Sequence, residues 1–536
     1  MTAHTKLTTV IRGGTVYDGS GADGVLADVL ISDDAIVEIG REPEGHDAEV
    51  IDATGLAVVP GFINVLSHAW GDLQRNGSAA SEVLQGVTTE VFGESVSPGP
   101  SSAAFAAAIA ASTDGLATAE FDRLGDGLDA LVNGGVAPNV ASFVGGENLR
   151  TLAAGFEDRR LAPDELDRIR GLLDEEMADG ALGLGTALIY APGRYADTDE
   201  LVALSEIVGA HDGLYISHLR SEADAFESAL DELLEIGRRA KVRTEAYHLK
   251  AAGRQNWPKM AMAIEKIGSA RTEGKPVSAN MYPYDAGGTA LAACIPPWFH
   301  DGGPAALAER LTRPAERAQI AEEIRTATEG YENLFLAAGG GSGVLLAKDL
   351  ADGTAVKGHR LDAVARHLGL DEADALVEIV RRDPWTPAAF FMIAEANIEL
   401  GLSQPWVSVG SDASAHPATP PWTDDPTHPR TYGTFARVLG RYCRERGLMS
   451  FSEAIRRMTS LPADNLRLAG RGRITPGSFA DVVVLDPATV IDTATWDHPH
   501  QYAVGIRDVF VNGIPVVCDG VVTESRPGRR LRRGLR

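Results

Sequence analysis

From about residue 62 to residue 412 the sequence repeats one unit: a short apolar run that ends near a polar residue, followed by a longer stretch of helical periodicity. Fully buried strands read as continuous apolar runs, and parallel strands need long crossovers, so this alternation specifies parallel β/α units. Such runs fall at 62–66, 88–93, 140–145, 181–185, 214–218, 244–248, 277–282 and 407–412. Eight parallel strands close a TIM-like barrel, so the expected fold is α/β, a (β/α)8 barrel. Helices are expected over 163–179 and 199–210; Asp164 and Glu165 suit the positive N-terminal end of the first.

Both ends of the chain read differently. Thr8 to Tyr17, broken at Gly13-Gly14, then 27–32, the turn Asp33-Asp34 and 35–39 alternate apolar and polar residues like half-buried antiparallel strands. The texture returns at 481–485, 509–512 and 515–522, with turns at Asn512-Gly513 and Asp519-Gly520. A small β-sandwich built from residues 1–60 and 466–525 is expected, around a barrel occupying 61–285 and 343–465. Well over a hundred residues separate the seventh and eighth strand candidates, too many for one connection. An inserted lid subdomain is therefore placed at 286–342. Its Gly339-Gly340-Gly341 has no Gly-Lys-Ser/Thr ending and reads as a hinge, not a phosphate loop. Residues 526–536, with Arg526, Arg529, Arg530, Arg532, Arg533 and Arg536, form a basic tail expected to be a solvated terminus.

Composition narrows the partners. The 536 residues are 44% hydrophobic and 23% charged, a globular balance. With 75 acidic residues against 49 Lys plus Arg, the formal charge of −26 argues against nucleic acid. Cys294, Cys443 and Cys518 are too few and too scattered for a disulfide framework or a Cys-rich zinc module. No apolar run reaches the length of a bilayer span and the first residues lack a signal-peptide pattern, so a soluble, cytoplasmic protein is expected.

In a β/α barrel, catalytic groups come from the C-terminal ends of the strands. Five strand candidates end in suitable residues: His68 after the first, Glu94-Ser95 after the second, His218, His248 and Asp412. Alone, each has a bland reading, a hydrogen-bonded rim histidine or a capping carboxylate. Together, two histidines and a carboxylate are the set a catalytic zinc needs with one position open.

Motifs along nearly the whole chain extend this. They include Ile11-Arg-Gly-Gly-Thr-Val, Pro60-Gly-Phe-Ile, Gln85-Gly-Val-Thr-Thr, Leu188-Ile-Tyr-Ala-Pro-Gly-Arg-Tyr195, Ser217-His-Leu-Arg-Ser-Glu222, Tyr282-Pro-Tyr284, Gly410-Ser-Asp412, His428-Pro-Arg430 and Leu468-Ala-Gly-Arg-Gly-Arg-Ile-Thr-Pro-Gly. In these the sequence resembles the amidohydrolase superfamily, and within it the N-acyl-D-amino-acid deacylases. The resemblance implies that His218 and His248 hold one tightly bound zinc ion and that Asp412 is the catalytic carboxylate. It implies further that Arg430 and Tyr282 grip the substrate carboxylate, with Tyr190 also at the substrate. Three positions depart from the family pattern. Leu66 replaces the first histidine of His-x-His, so a second metal is in doubt; no thiol follows the second strand; and Gly288 stands where the family has Ser. Glu94 is expected to replace the thiolate as an oxygen ligand, with Ser95 the alternative. His68 is expected either as a ligand or as a hydrogen-bond partner of substrate or water.

The expected activity is zinc-dependent removal of the acyl group from a small N-acyl amino acid of D configuration, giving a carboxylic acid and the free amino acid. Two other readings are weighed: a cyclic amide hydrolase resembling hydantoinases or dihydroorotases, and a barrel that has lost catalysis and binds a partner. Lys250, two residues beyond His248, does not match the bridging carboxylated Lys of the former.

Overall fold

The computed structural model describes residues 8–41, 48–112, 121–424 and 427–535; the opening residues 1–7 and Arg536 lie outside the described residues. Five strands lead in: β1 (Thr8–Val16), β2 (Val25–Ser32), β3 (Ala35–Gly40), β4 (Glu49–Asp52) and β5 (Ala57–Pro60). The expected break at Gly13-Gly14 is a bulge inside one continuous strand, where the register with β2 shifts between Ile11 and Gly14. The Gly13 N–H turns to Asp28 Oδ1 at 2.8 Å. β5 escapes the alternation test because all four of its residues are buried.

Eight parallel segments follow: β6 (Phe62–Asn64), β7 (Val87–Phe92), β8 (Asn139–Ser142), β9 (Val144–Gly145), β10 (Gly183–Ala187), β11 (Leu214–His218), β12 (Arg243–Ala246) and β13 (Val277–Met281). β8 pairs with β7 and β9 with β10, so the single run expected over 140–145 is split at Phe143 between two sheets. Helices Pro163–Ala178 and Thr198–Ala210 cross over outside, close to their expected positions.

Then come β14 (Ala286–Ala290), β15 (Val344–Leu346) and β16 (Pro387–Phe391), an antiparallel sheet in the order β14-β16-β15. This pairing crosses residue 342, so the insertion continues through β16 and does not end at 342. Val344 to Leu346 is a short apolar run like the others; only its pairing with β16 assigns it to the insertion. Gly341 N–H is taken by Glu372 Oε2 at 2.7 Å, so the triple-glycine segment is a turn tied to a carboxylate.

β17 (Val407–Val409) returns to pair in parallel with β13. On its other side Asp412 N–H reaches Leu66 O and His68 N–H reaches Ala413 O, each at 2.9 Å. The chain ends in β18 (Val482–Leu485), β19 (Ile506–Val511), β20 (Ile514–Cys518) and β21 (Val521–Val522), which extend the N-terminal sheet through antiparallel β18–β5 pairing. Strands from both termini thus share one nine-stranded sheet. Among the described residues no helix is long and apolar enough to cross a membrane.

The basic tail is not a solvated terminus. Arg530 forms a parallel bridge with Val140, and Leu531 packs on the buried cluster of Ile63, Val91, Phe143 and Ile216. The Arg530 guanidinium lies 3.1 Å from Asp129 and 2.5 Å from Asp179, and Arg533 donates to Met177 O at 2.9 Å. Arginine stems cover apolar surface while their heads find carboxylates, so an Arg-rich run can dock where composition alone suggests a free end. Removing Arg530 leaves partly buried Asp179 to the longer, 3.7 Å pair with Arg532, and Arg530→Ala is expected to cost about 1–3 kcal/mol. Arg529→Ala, whose ion pair with Asp34 is more exposed, is expected to cost below about 1 kcal/mol. Thermal denaturation of the two variants checks this; equal small shifts would mean the tail is free.

Candidate metal centre and active site

The strand ends carry strained backbone where the candidate residues sit. Ser95, His248 and Asp412 have φ of 64°, 30° and 52°, in the left-handed region that L residues rarely adopt. Gly93, at φ 104°, precedes Glu94; a Cβ there would meet Phe143 O at 2.4 Å, so only glycine lets the chain turn Glu94 inward. His248 is fixed from its backbone, N–H to Asn280 Oδ1 at 2.8 Å. Asn64 holds the Asp412 loop, accepting from Ser411 N–H at 2.9 Å and donating to Ser411 Oγ at 2.8 Å.

Glu94, His218 and His248 are all buried and converge, their ligand atoms within 4.8 Å of one another. Glu94 Oε1 lies 3.0 Å from His248 Nε2 and 3.3 Å from His218 Nδ1. Its other oxygen is 3.1 Å from His68 Nε2, which in turn lies 3.0 Å from Asp412 Oδ1. The remaining Asp412 oxygen accepts from Arg430 Nη1 at 2.7 Å. Tyr282 lies under Arg430, whose guanidinium carbon is 4.8 Å from the ring centroid, and the Tyr190 ring is 5.6 Å from that of His218. All eight residues singled out from the sequence, with Ser95, line one cavity of about 290 Å³. Leu66 does not; it is buried against Val91, Phe143 and Tyr247, so the first position of His-x-His has become packing.

Four charged lining residues were not among the expected site residues: Glu147, Glu222, Lys250 and Glu332. Glu222 reaches both histidines, 3.0 Å from His248 Nδ1 and 3.4 Å from His218 Nε2. With a metal bound, a His248 Nδ1–H donated to Glu222 would leave Nε2 to offer its lone pair to the ion. Lys250 Nζ lies 2.5 Å from Glu222. The spacing of four between His218 and Glu222 within their shared motif was the available signal.

The electrostatics fit a cation. Burial pushes the Glu94 carboxyl up, but His248 and hydrogen bonds from three imidazoles outweigh it and hold the pKa well below the usual range. Burial and Lys250 pull His248 down, whereas Glu222 and Glu94 raise it to about 9. Burial lowers His218. Burial also opposes the charged form of Asp412, yet Arg430 and the His68 hydrogen bond keep it below the ordinary carboxylate range. Two imidazole nitrogens and one carboxylate oxygen, facing one another with second-layer partners on the far side, are a donor set suited to zinc.

Comparisons with known proteins show the family. Residues 388–517 match the model of the amidohydrolase family. A D-aminoacylase of Alcaligenes xylosoxydans xylosoxydans is 33% identical over 526 residues, covering 98% of this chain and 97% of the relative. The chain belongs to the N-acyl-D-amino-acid deacylase family of amidohydrolases. An N-acyl-D-glutamate deacylase of the same organism is 34% identical over 535 residues, covering 98% of this chain and 97% of that relative. The crystal structure of N-acyl-D-glutamate deacylase from Bordetella bronchiseptica, complexed with zinc and a phosphonate inhibitor, superposes with a TM-score of 0.82 at 32% identity, covering 98% of this chain and all of that one. In this deacylase-family chain the second strand delivers a carboxylate to the centre.

Because His248 holds its proton to about pH 9, zinc must displace it. Loading at pH 7 is expected to release at least about one proton per ion, with affinity rising as pH approaches 9, measured calorimetrically in buffers of different ionisation enthalpy. Glu222→Ala is expected to weaken zinc binding about 10–100-fold; unchanged affinity would remove Glu222 from the centre.

Proposed function

We propose that the protein is a zinc-dependent amide hydrolase that removes the acyl group from N-acyl-D-amino acids. The observation that carries this is the convergence of Glu94, His218 and His248 beside an ionised Asp412 held by Arg430. A zinc ion held by these three residues, one tightly bound ion per chain, would polarise the amide carbonyl and lower the pKa of water from about 16 toward 7.

The rest of the reaction falls to the chain's own residues. Asp412 takes the proton from the attacking water and returns it to the departing amine nitrogen, a role worth roughly 10²–10⁴ in rate. Its depressed pKa suits transient carriage, because a proton taken at Asp412 is readily passed on. Arg430 spends Nη1 on Asp412 and reaches Gly288 O with Nη2 at 3.5 Å, leaving a buried, unpartnered Nε. Its guanidinium and Tyr282 anchor the substrate carboxylate, a pair suited to a planar anion. Burial raises the phenols of Tyr282, to about 12, and of Tyr190, so both stay protonated and can donate hydrogen bonds. His68, with its side chain 42% exposed, bridges Glu94 and Asp412 and orients both. The insertion shields the site from water.

The accompanying fold reading is a closed eight-stranded barrel beside a small sandwich. It is supported by the Phe143 junction between the two parallel sheets, the Leu66–Asp412 and His68–Ala413 bonds, and the apolar cluster on one face of the terminal sheet. Three unpaired cysteines support a cytoplasmic setting.

Asp412→Asn is expected to lower hydrolysis of N-acyl-D-amino acids by at least about 10²-fold while retaining the metal, and Glu94→Gln is expected to lose metal and activity together. Release of free amine and metal content by atomic emission check both; a metal-free protein with full activity would end this mechanism.

A further inference from the structure

The motif Gln85-Gly-Val-Thr-Thr leads into β7, yet Gln85 stands outside the lining of the metal pocket. It is fully buried and spends its amide on backbone. Nε2 donates to Ser81 O at 2.8 Å and to Thr431 O at 3.1 Å, and Oε1 accepts from Phe435 N–H at 3.1 Å. Thr431 and Phe435 stand four residues apart in helix Arg430–Arg437, the two ends of one turn. Arg430 is the first residue of that helix. One side-chain amide, distant in sequence, therefore grips the helix next to the point where the guanidinium leaves it.

The same stretch, from Ser81 to Glu90, also holds the loop that carries Asp412. Ser81 Oγ accepts from His416 N–H at 3.0 Å, and Glu90 Oε2 accepts from Asn64 Nδ2 at 3.0 Å. Asn64 in turn binds Ser411 through both its backbone and its hydroxyl. Both partners of the Asp412–Arg430 pair are thus secured from one segment behind them.

The pair needs that precision. Arg430 Nη1 lies 2.7 Å from Asp412 Oδ2 while the guanidinium carbon stays 4.8 Å from the Tyr282 ring centroid. A shift of the helix would lengthen one contact or the other, and a misplacement of about 1 Å can cost about 10²-fold in rate. Burial by itself asks only for volume at residue 85, which an apolar side chain supplies without the cost of desolvating an amide. What the amide adds is direction: two donors and an acceptor that fit one placing of the turn.

Resting on the deacylase reading, we propose that Gln85 is a positioning residue of the reaction: its amide sets the place of the Arg430 guanidinium, and through it the lie of Asp412 and of the substrate carboxylate.

The test is a double-mutant cycle on the zinc-loaded full chain, using whichever of N-acetyl-D-alanine, N-acetyl-D-phenylalanine and N-acetyl-D-glutamate is hydrolysed fastest. Gln85→Met, close in shape but without the amide, is expected to lower kcat/KM by about 10–100-fold with metal content unchanged. Where Arg430 is already replaced by Ala, the same change is expected to cost less than about 3-fold, because the group it positions is gone. Equal losses in the two backgrounds, or no loss in the first, overturn the inference and leave the deacylase reading standing. Arg530→Ala, destabilising at the opposite end of the barrel, is expected to keep kcat/KM within about 2-fold of the parent; a loss there matching that of Gln85→Met would trace both to stability and overturn the inference. If Gln85→Met does not fold, Gln85→Glu, which keeps the acceptor for Phe435 N–H, enters the cycle under the same criteria. If none of the three substrates is hydrolysed, the deacylase reading itself fails. The positioning of Arg430 is then read by amide hydrogen exchange, which Gln85→Met is expected to speed by at least about 10-fold in residues 430–437 and not in the other barrel segments. Unchanged exchange there, or acceleration spread through the barrel, overturns it.

Discussion

Glu94 is a buried carboxylate held by three imidazoles, and the charge at that point sets the arrangement around it. One oxygen faces His218 and His248 and the other faces His68, which leads on to Asp412 and Arg430. A carboxylate in this position is tolerable only if a cation sits among the imidazoles, either their own protons or a metal. Glu222 works from the far side, 3.0 Å from the outward nitrogen of His248, while the outward Nε2 of His218 lies 3.4 Å from it without a hydrogen bond. The site is thus two carboxylates with a pair of histidines between them, and Lys250 balances the outer one.

That charge pattern is made possible by backbone that the rest of the fold enforces. Left-handed residues at Ser95, His248 and Asp412 are costly by themselves and persist because neighbouring strands hold them. Asn64 and the hydrogen bonds between the first and last barrel strands secure the Asp412 loop, and the missing side chain at Gly93 admits the carbonyl of Phe143. At the opposite end of the strands, the docked tail packs Leu531 on the interior cluster. The polar end of the barrel is therefore free to be strained because the apolar end is well packed.

Negative charge recurs at each level. A chain of formal charge −26 gives no general attraction to a carboxylate substrate. Binding such a substrate would then depend on a few local cations, Arg430 foremost.

The order of strands, the β-rich ends and the residues at the strand tips were legible because they depend on local properties: apolar runs, period and turn residues. Leu214–His218 was bounded to the residue, and the eight candidate site residues all reach one cavity. Features that depend on pairing were not legible. The three residues of β15 carry no mark that they join the insertion, the run at Phe143 gives no sign that it divides between sheets, and Arg530 reads as solvated until Asp129 and Asp179 are beside it. The sequence by itself determined which chemical groups are present and at which strand ends they stand. Only the tertiary structure decided that Glu222, Lys250, Glu147 and Glu332 join them, because three of these residues lie in loops and Glu147 in the first turn of helix Gly146–Ala154, and where these segments meet depends on long-range packing.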